Sequence, residues 1–579
     1  MTTPQARPHA PDSGGATTHE VTNQPPPLQG HDLYGTDDAL REAVEREGAA
    51  WAHDQLHELG TRAGGAEAIG WGFAAEAAPP VLHTHDRFGH RLDEVTYHPA
   101  YHALMDVAVG SGLHAAPWTD PTPGAHVARA AGFLVWSQVE PGHMCPISMT
   151  YAAVPALRAQ PELARAWVPA LAARRYDPAL GPVADKAGAL AGMAMTERQG
   201  GSDVRANTTR AVPTGNGGPG AEYRLTGHKW FCSAPMSDVF LMLAQAPEGL
   251  SCFLVPRVLP DGARNAIRFQ RLKDKLGNRA NASAEIELDG ALGRMVGDEG
   301  RGVRTIVEMV AATRLDCVLG TSALIRQAGV QAVHHTRHRS AFGRLLADQP
   351  LMQGVLADLA VESEAATALA LRLAAAMDRS QQPVALGQEA MLRRIGTAVA
   401  KYWVCKRGPT VVGEALECLG GNGYVEESGL PRLYREAPVN SVWEGSGNVN
   451  ALDVLRALAR TPESADALLA EVAAASGADR TLDAFASGLR RDLGVLTRAP
   501  DRADDAAAAA GASWERGARR LVERMALALQ GALLVQHSPA PMADAFCASR
   551  LGGDWGHTLG TLPVGADADA ILARFLPAG

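Results

Sequence analysis

Between Ala191 and about Asp289 the apolar positions fall in short runs. Tyr223–Ser233, Val239–Gln245 and Leu250–Pro256 read as strands, and Ala284–Asp289 alternates apolar with polar. Turns rich in Gly and Pro at Gly215–Gly220 and Pro260–Gly262 separate them, which predicts a small antiparallel barrel or sandwich. On both sides the period becomes helical. Upstream, Asp37-Asp38 is a cap for a helix over Ala39–Glu47, and Ala125–Val139 and Val154–Ala172 repeat the helical spacing. Downstream, Val303–Arg337, Leu351–Met377 and Glu389–Leu419 are each long enough to cross a helix bundle. The remainder also reads as helical, with breaks near Pro500, Ser538-Pro539 and Pro541. Met1 to about Gln29 holds too little apolar surface to order itself, and Asn23–Leu28 within it reads as an extended piece suited to docking on a neighbour. The expected organisation is α+β: an N-terminal arm (1–36), a helical domain (37–190), an antiparallel β domain (191–295), a four-helix bundle (296–460) and an extra helical region (461–579).

Composition narrows the partners. A net charge of −9 makes the whole molecule no electrostatic match for nucleic acid, so DNA binding would need a local basic patch. Arg516, Arg519, Arg520 and Arg524 share roughly one helical face, readable as a solvated face or as a phosphate site. The region after Arg460 carries eleven arginines against fifteen carboxylates, which argues against strong DNA binding there. Seven cysteines are scattered without a Cys-x-x-Cys pair, which fits reduced thiols in a cytoplasmic protein and no structural zinc. No apolar run is long enough to span a membrane, and no signal-peptide core is present. His83, His85, His90, His98 and His102 cluster loosely, at spacings that match surface or core histidines better than a metal site.

Two stretches carry the chemistry. Around Trp443-Glu444-Gly445-Ser446 a single carboxylate stands between a large aromatic residue and glycines, as a proton-abstracting base with close substrate access requires. Read alone, the same residues also make a helix N-terminus capped by Ser446 or Asn448. Far upstream lies Met193–Asp203, with Met195, Thr196, Gly201 and Ser202.

Together with Gly227-x-Lys229-Trp230-Phe231-Cys232-Ser233, Arg339-x-x-Phe342-Gly343 followed by Gln349, and the Gly420-Gly421 turn, these stretches resemble the acyl-CoA dehydrogenase family, in family order. The resemblance is closer still to the family's alkylation-response branch. Arg271–Ser283, Cys405–Gly408, Glu426–Glu436 and Pro438–Asn448 carry that closer likeness, which weakens after Arg460. It implies an FAD cofactor and removal of the proton α to an acyl-CoA carbonyl, with hydride transfer to the flavin. It assigns the base to Glu444. The cofactor residues it implies are Met193, Met195, Thr196, Gly201, Ser202, Trp230, Phe231, Cys232, Ser233, Arg339, Phe342, Gln349, Gly420, Gly421, Trp443, Gly445, Ser446 and Asn448. Arg314 and Trp443 are the substrate residues. The alternative base position on an earlier bundle helix is Thr313, which cannot serve. Trp443 stands where the family commonly has Tyr, which implies an acyl pocket either narrowed toward short or branched chains or obstructed. Glu417 stands where Gln is usual, which puts its cofactor role in doubt. The resemblance further implies a homodimer or homotetramer, and duplex DNA as a partner through Lys401, Lys406, Arg407, Arg432, Arg435, Arg456, Arg519 and Arg520. Two function classes follow: a dehydrogenase of short or branched acyl-CoA, and a DNA-binding protective flavoprotein.

Overall fold

Asp37 accepts a hydrogen bond from the Leu40 amide (3.1 Å) and starts α1 (Asp38–Arg46), as a side-chain oxygen at a helix N-cap does. The computed structural model describes residues 18–381, 387–497 and 505–576, without the side chains of 495–497 and 505–512. The break expected near Pro500 lies outside the described residues. Helices α2 (His53–Ala63), α3 (Ala66–Ala77), α4 (Pro99–Gly110), α5 (Ala116–Thr119), α6 (Ala125–Ser137), α7 (Met144–Leu157) and α8 (Pro161–Leu171) follow. The single helix expected over Val154–Ala172 is divided, because Pro161 lacks an N–H and opens a new helix. The helical reading also fails at β1 (Val81–His85) and β2 (Arg91–Thr96), which pair as an antiparallel hairpin. His83, His85 and His90 are exposed on it. His98 caps α4, and His102 bonds the Tyr176 hydroxyl at 2.8 Å, so the five histidines do not converge.

The second sheet comprises β3 (Ala191–Ala194), β4 (Arg210–Pro213), β5 (Glu222–Ser233), β6 (Val239–Ala246), β7 (Gly249–Pro256), β8 (Ile267–Leu272) and β9 (Ser283–Val296). Its order is β3-β6-β4-β5-β9-β7, with β8 on β9, and a β6–β7 pairing closes it around Tyr223, Phe240, Phe253 and Phe269. It is not purely antiparallel. β3 runs parallel to β6, and Arg210 of β4 meets Gln245 of β6 in parallel, because the long excursion between β3 and β6 allows what a hairpin cannot. In β5 the register slips between Lys229 and Cys232. Lys229 and Cys232 both turn inward, while the intervening Trp230 and Phe231 are left on the outer surface.

The bundle is built from α9 (Gly302–His338), α10 (Pro350–Arg379) and α11 (Gln388–Glu417), which pack on one another. At 37 residues α9 is about 55 Å long. A tight hairpin, β10 (Ser340–Ala341) with β11 (Arg344–Leu345), joins α9 to α10. α12 (Leu430–Glu436) and α13 (Gly447–Arg460) pack along α11. α6 and α7 lie across α9, and α7 and α9 also reach the β domain through β3 and β7, so three regions meet along the N-terminal part of α9.

The remaining helices are α14 (Glu463–Ala473), α15 (Arg480–Thr497), α16 (Asp505–His537), α17 (Ala540–Phe546) and α18 (Ala568–Phe575). They are fastened to the bundle by buried charges. Arg550 reaches Asp358 and also Glu362 (2.8 Å), and Arg574 bridges Glu364 (2.8 Å) and Glu42 (2.7 Å). The arm docks on its own chain. Asn23 exchanges two hydrogen bonds with the Ser340 backbone, and Arg339 returns one to the Asn23 carbonyl.

Candidate active site

Glu444 sits in the loop before α13, in the left-handed backbone region (φ 57°), which is costly for a residue with a side chain. Four side chains from three helices hold it. Thr313 of α9 donates its hydroxyl to Glu444 Oε2 (2.8 Å), and Arg314 Nε donates to the Glu444 carbonyl (2.9 Å). Lys401 of α11 donates from Nζ to the Trp443 and Gly445 carbonyls on either side (2.8 and 2.9 Å). Asn450 of α13 donates to the Gly445 carbonyl (2.6 Å). Arg314 is anchored in turn on Asp453 (2.7 Å), which Arg394 also holds. Burial pushes the Glu444 carboxyl above the usual carboxylate range, opposed by the Thr313 hydrogen bond and the charges of Lys401 and Arg314. Among the described residues its backbone N–H and its Oε1 have no hydrogen-bond partner.

The facing wall comes from the β domain. The Trp230 amide donates to the Thr196 carbonyl (2.8 Å), tying β5 to the turn after β3. Glu197 fixes that turn from below. It is fully buried and accepts from Lys229 Nζ (2.9 Å), the Thr208 amide (2.6 Å) and hydroxyl (2.9 Å), and the Thr209 amide (3.1 Å). The turn is tight, since a Cβ at Gly201 would lie 2.3 Å from Thr196 Oγ1. Cys145 connects the two walls. Its thiol lies beside Ser233 and Asn281 and is pushed up to about 12 by burial and then by the negative charge of Glu444. Asn281 is fully buried, yet among the described residues its side-chain amide has no hydrogen-bond partner other than the neighbouring Cys145 thiol. A buried amide with no firm partner beyond a thiol, next to Ser233, fits a polar ligand group.

A further open region lies at the β10–β11 turn. Phe342 is 95% exposed there, and Gln349 Nε2 supports the Ala341 carbonyl (3.0 Å). Nothing stands within 4 Å of a Cβ placed on Gly420 or Gly421, and Tyr424 beyond them is 83% exposed.

Three family models match the chain in succession: the adaptive response protein AidB N-terminal domain over residues 23–178, the acyl-CoA dehydrogenase middle domain over 192–291, and the acyl-CoA dehydrogenase C-terminal domain over 300–459. AidB of Escherichia coli is 47% identical over 532 residues, spanning 92% of this chain and 94% of its own. The chain belongs to the AidB branch of the acyl-CoA dehydrogenases. Acyl-CoA dehydrogenase family member 11 of Caenorhabditis elegans is 31% identical over 81% of this chain and 77% of its own. The solved structure of Caenorhabditis elegans ACDH-11 in complex with C11-CoA superposes with a TM-score of 0.81, at 27% identity over 93% of this chain and 94% of that one. An acyl-CoA dehydrogenase from Bacillus anthracis complexed with FAD shares the fold at a TM-score of 0.59 and 18% identity, over 82% and 79% of the two chains. The family is one of FAD-dependent oxidoreductases.

Within this acyl-CoA dehydrogenase fold the expected residues fall into separate groups. Met193, Met195, Thr196, Gly201, Ser202, Trp230, Phe231 and Ser233 lie along the β-domain wall, and Trp443, Gly445, Ser446 and Asn448 on the opposite loop. Ser446 stands at the N-cap position of α13 without making a side-chain cap, so the loop is at once a helix start and the setting of the carboxylate. Cys232 is a correction: its side chain points into the β-domain core, away from the wall. Arg314 is engaged in bracing the Glu444 loop. Lys401 does not reach the surface as expected for a DNA contact, and Arg407 is half-buried and already paired. Lys401 is 1% exposed, and Arg407 is tied to Glu362 (3.0 Å) between Trp403 and Trp555. Arg432 is buried and Arg435 is paired with Glu76 and Glu426. Asn450, Asp453 and Asn281 were not singled out by sequence, and Thr313 only as a base position that cannot serve, not as the support of Glu444. For Lys401 a signal existed: a lysine flanked along its helix by Ala398, Tyr402, Val404 and Cys405 has no solvent-facing neighbour.

Glu76, Glu140 and Glu436 form a separate buried carboxylate group, with oxygens within 4.8 Å of one another. Burial and the other two carboxylates push Glu436 up to about 8. Arg432 and Arg435 lie against the group and supply the opposing charge.

Proposed function

We propose that this chain binds FAD between the β-domain wall and the Glu444 loop and dehydrogenates a short or branched acyl-CoA, with Glu444 as the base. The observation that carries the reading is the carboxylate of Glu444. It is half-buried, fixed through one oxygen by Thr313, and free at the other. A base whose acidity is weakened by burial is better matched to a weakly acidic Cα–H. The unpartnered Glu444 N–H sits beside it, suited to the thioester oxygen on which charge develops as the α proton leaves. FAD, when bound, supplies the acceptor for the β-hydride. The Thr196, Ser202 and Ser446 hydroxyls make no hydrogen bond within the described chain, and the Asn281 amide has no firm partner beyond a thiol; these supply polar contacts for the ring system. Arg339, with no carboxylate partner among the described residues, supplies the charge a pyrophosphate needs. Phe342 and the Gly420–Tyr424 turn are exposed in one chain and suit contact with a second copy, in a homodimer or homotetramer. Trp443, its indole held by Asn440 (3.0 Å), restricts the acyl space. All seven cysteines are free thiols, and no described helix is long and apolar enough to cross a membrane, which supports a cytoplasmic setting. The test is anaerobic titration of the FAD-loaded protein with straight and branched short acyl-CoAs. Bleaching by one of them, lost in Glu444→Gln with FAD retained, supports the reading; bleaching that survives the substitution refutes the base.

A second reading, protection of duplex DNA, rests on a specific surface. Arg456, Arg516, Arg519 and Arg520 are exposed and have no carboxylate partner among the described residues, with Lys406 half-buried beside Arg519. Such a patch binds phosphates without base readout and is strongly weakened by salt.

A further inference from the structure

Lys401 is a buried cation facing no conventional counter-ion. It is 1% exposed, and its ammonium group donates to two neutral acceptors, the carbonyls of Trp443 and Gly445. Neutral carbonyls do not balance a buried charge. The charged and titratable groups around it come from every neighbouring helix. α9 presents Arg314, Cys317 and Asp316, the last paired with Arg129; α11 presents Cys405 and Lys406, α13 presents Asp453, α16 presents Arg519, and α7 presents Cys145 near the base. Asp453 is occupied by Arg314 and Arg394. Burial pushes all three thiols above their usual range, so they stay neutral. Glu444 is the anion that remains.

The geometry makes this placement specific. The two carbonyls that Lys401 takes bracket Glu444, whose backbone is in the left-handed region. Holding both neighbours over-determines the residue between them, the condition under which a strained conformation persists. We propose that Lys401 is a positioning residue for the base: it clamps the peptide groups on both sides of Glu444 in the strained turn and supplies the positive charge that keeps the half-buried carboxylate ionised. This rests on the reading of Glu444 as the base. Thr313 fixes the carboxylate oxygen, whereas Lys401 fixes the peptide frame and the electrostatic setting.

The experiment compares wild type, Lys401→Gln and Lys401→Arg in the FAD-bound protein. Ionisation of Glu444 is read directly by infrared difference spectroscopy across pH, with Glu444→Gln as the blank, so turnover is not required. Lys401→Gln keeps a donor for one carbonyl and loses the charge. It should shift the Glu444 titration upward by on the order of 1 pH unit and slow flavin reduction at neutral pH about tenfold, with KM little changed. Amide hydrogen exchange over residues 443–446 should quicken. Lys401→Arg should restore the titration. A Glu444 titration in Lys401→Gln that matches wild type, or an equal shift in Lys401→Arg, overturns the proposal. If Glu444→Gln still reduces flavin, the base assignment fails, while the infrared titration still decides whether Lys401 sets the carboxylate.

Discussion

Replacing Lys229 with methionine is expected to weaken the β domain and loosen the turn that carries Thr196 and Ser202. Lys229 and Glu197 are both 0% exposed at the side chain and meet at 2.9 Å. Removing one partner of such a pair strands a charge at a cost of roughly 3–5 kcal/mol. Glu197 keeps its hydrogen bonds from Thr208 and Thr209, which puts the expected loss near the lower end, about 3 kcal/mol. The Leu243 carbonyl also loses its lysine donor. Burial alone would raise the Glu197 carboxyl, but Lys229 and the Thr208 and Thr209 donors outweigh it and hold it well below the usual carboxylate range. A depressed folded-state value means stability that is present above the ordinary carboxylate pKa of 4.5 and is lost as pH falls below it. The substitution removes the main cause of that depression. Wild type and Lys229→Met should therefore differ most at pH 7 and converge in acid. Differential scanning calorimetry with flavin fluorescence, run from neutral to acid pH, reads both unfolding and cofactor release. The double variant Lys229→Met/Glu197→Gln should recover more than half the loss, because no charge is then stranded. A single variant within about 1 kcal/mol of wild type, far below the range for a broken buried pair, would refute the reasoning. So would a difference that does not change with pH.

Thr313→Val removes a hydrogen bond to a carboxylate, worth about 1.5–3 kcal/mol, so the acid limb of the pH profile for flavin reduction should move upward by roughly 1–2 units; stopped-flow rates across pH check it. Glu436 is raised to about 8, so its contribution to stability is present below 4.5 and lost as pH rises through 8. Glu436→Gln should accordingly show a higher unfolding midpoint than wild type at pH 8 and lose that advantage toward pH 5. Arg550→Met strands Asp358, while Glu362 keeps Arg407, and should cost about 3 kcal/mol in urea unfolding, partly restored by Asp358→Asn. If the DNA reading holds, Arg516, Arg519 and Arg520 changed together to Glu should weaken duplex binding and flatten its salt dependence in a gel-shift series, whereas Arg407→Ala should change neither.

The long-range order of the molecule was legible because periodicity is a local property. The expected runs at Val303–Arg337 and Leu351–Met377 emerge within three residues as α9 and α10, and the strand readings of β5, β6 and β7 are equally close. The hairpin β1–β2 was missed because its exposed histidines and threonines give a weak alternation inside a helical neighbourhood. The parallel β3–β6 pairing was missed because register between distant strands is set by tertiary packing, with no local pattern to reveal it. In the site, Glu444 was readable from its glycine neighbours. Its supports were not: Thr313 lies 131 positions away and Lys401 is more than forty away, so their meeting depends on how α9 and α11 pack. A charge taken for a surface contact therefore lies inside the protein, and Arg456 of α13 with the exposed arginines of α16 and Lys406 beside them are what remains of the expected patch.

Arg574 of α18 joins Glu42 of α1, 532 positions away, to Glu364 at the centre of α10, and Phe575 beside it packs under Arg326 of α9. During synthesis α1, α9 and α10 leave the ribosome long before α18 exists. Until it arrives, Glu364 lacks its cation and this face of the bundle lacks its cover. Vectorial folding can build the catalytic half of the molecule early, but closure of this seam waits for the chain's final described helix. Nascent or truncated chains that stop short of Arg574 would display an uncompensated carboxylate and an apolar groove, a difference that a chaperone or protease can read as incompleteness.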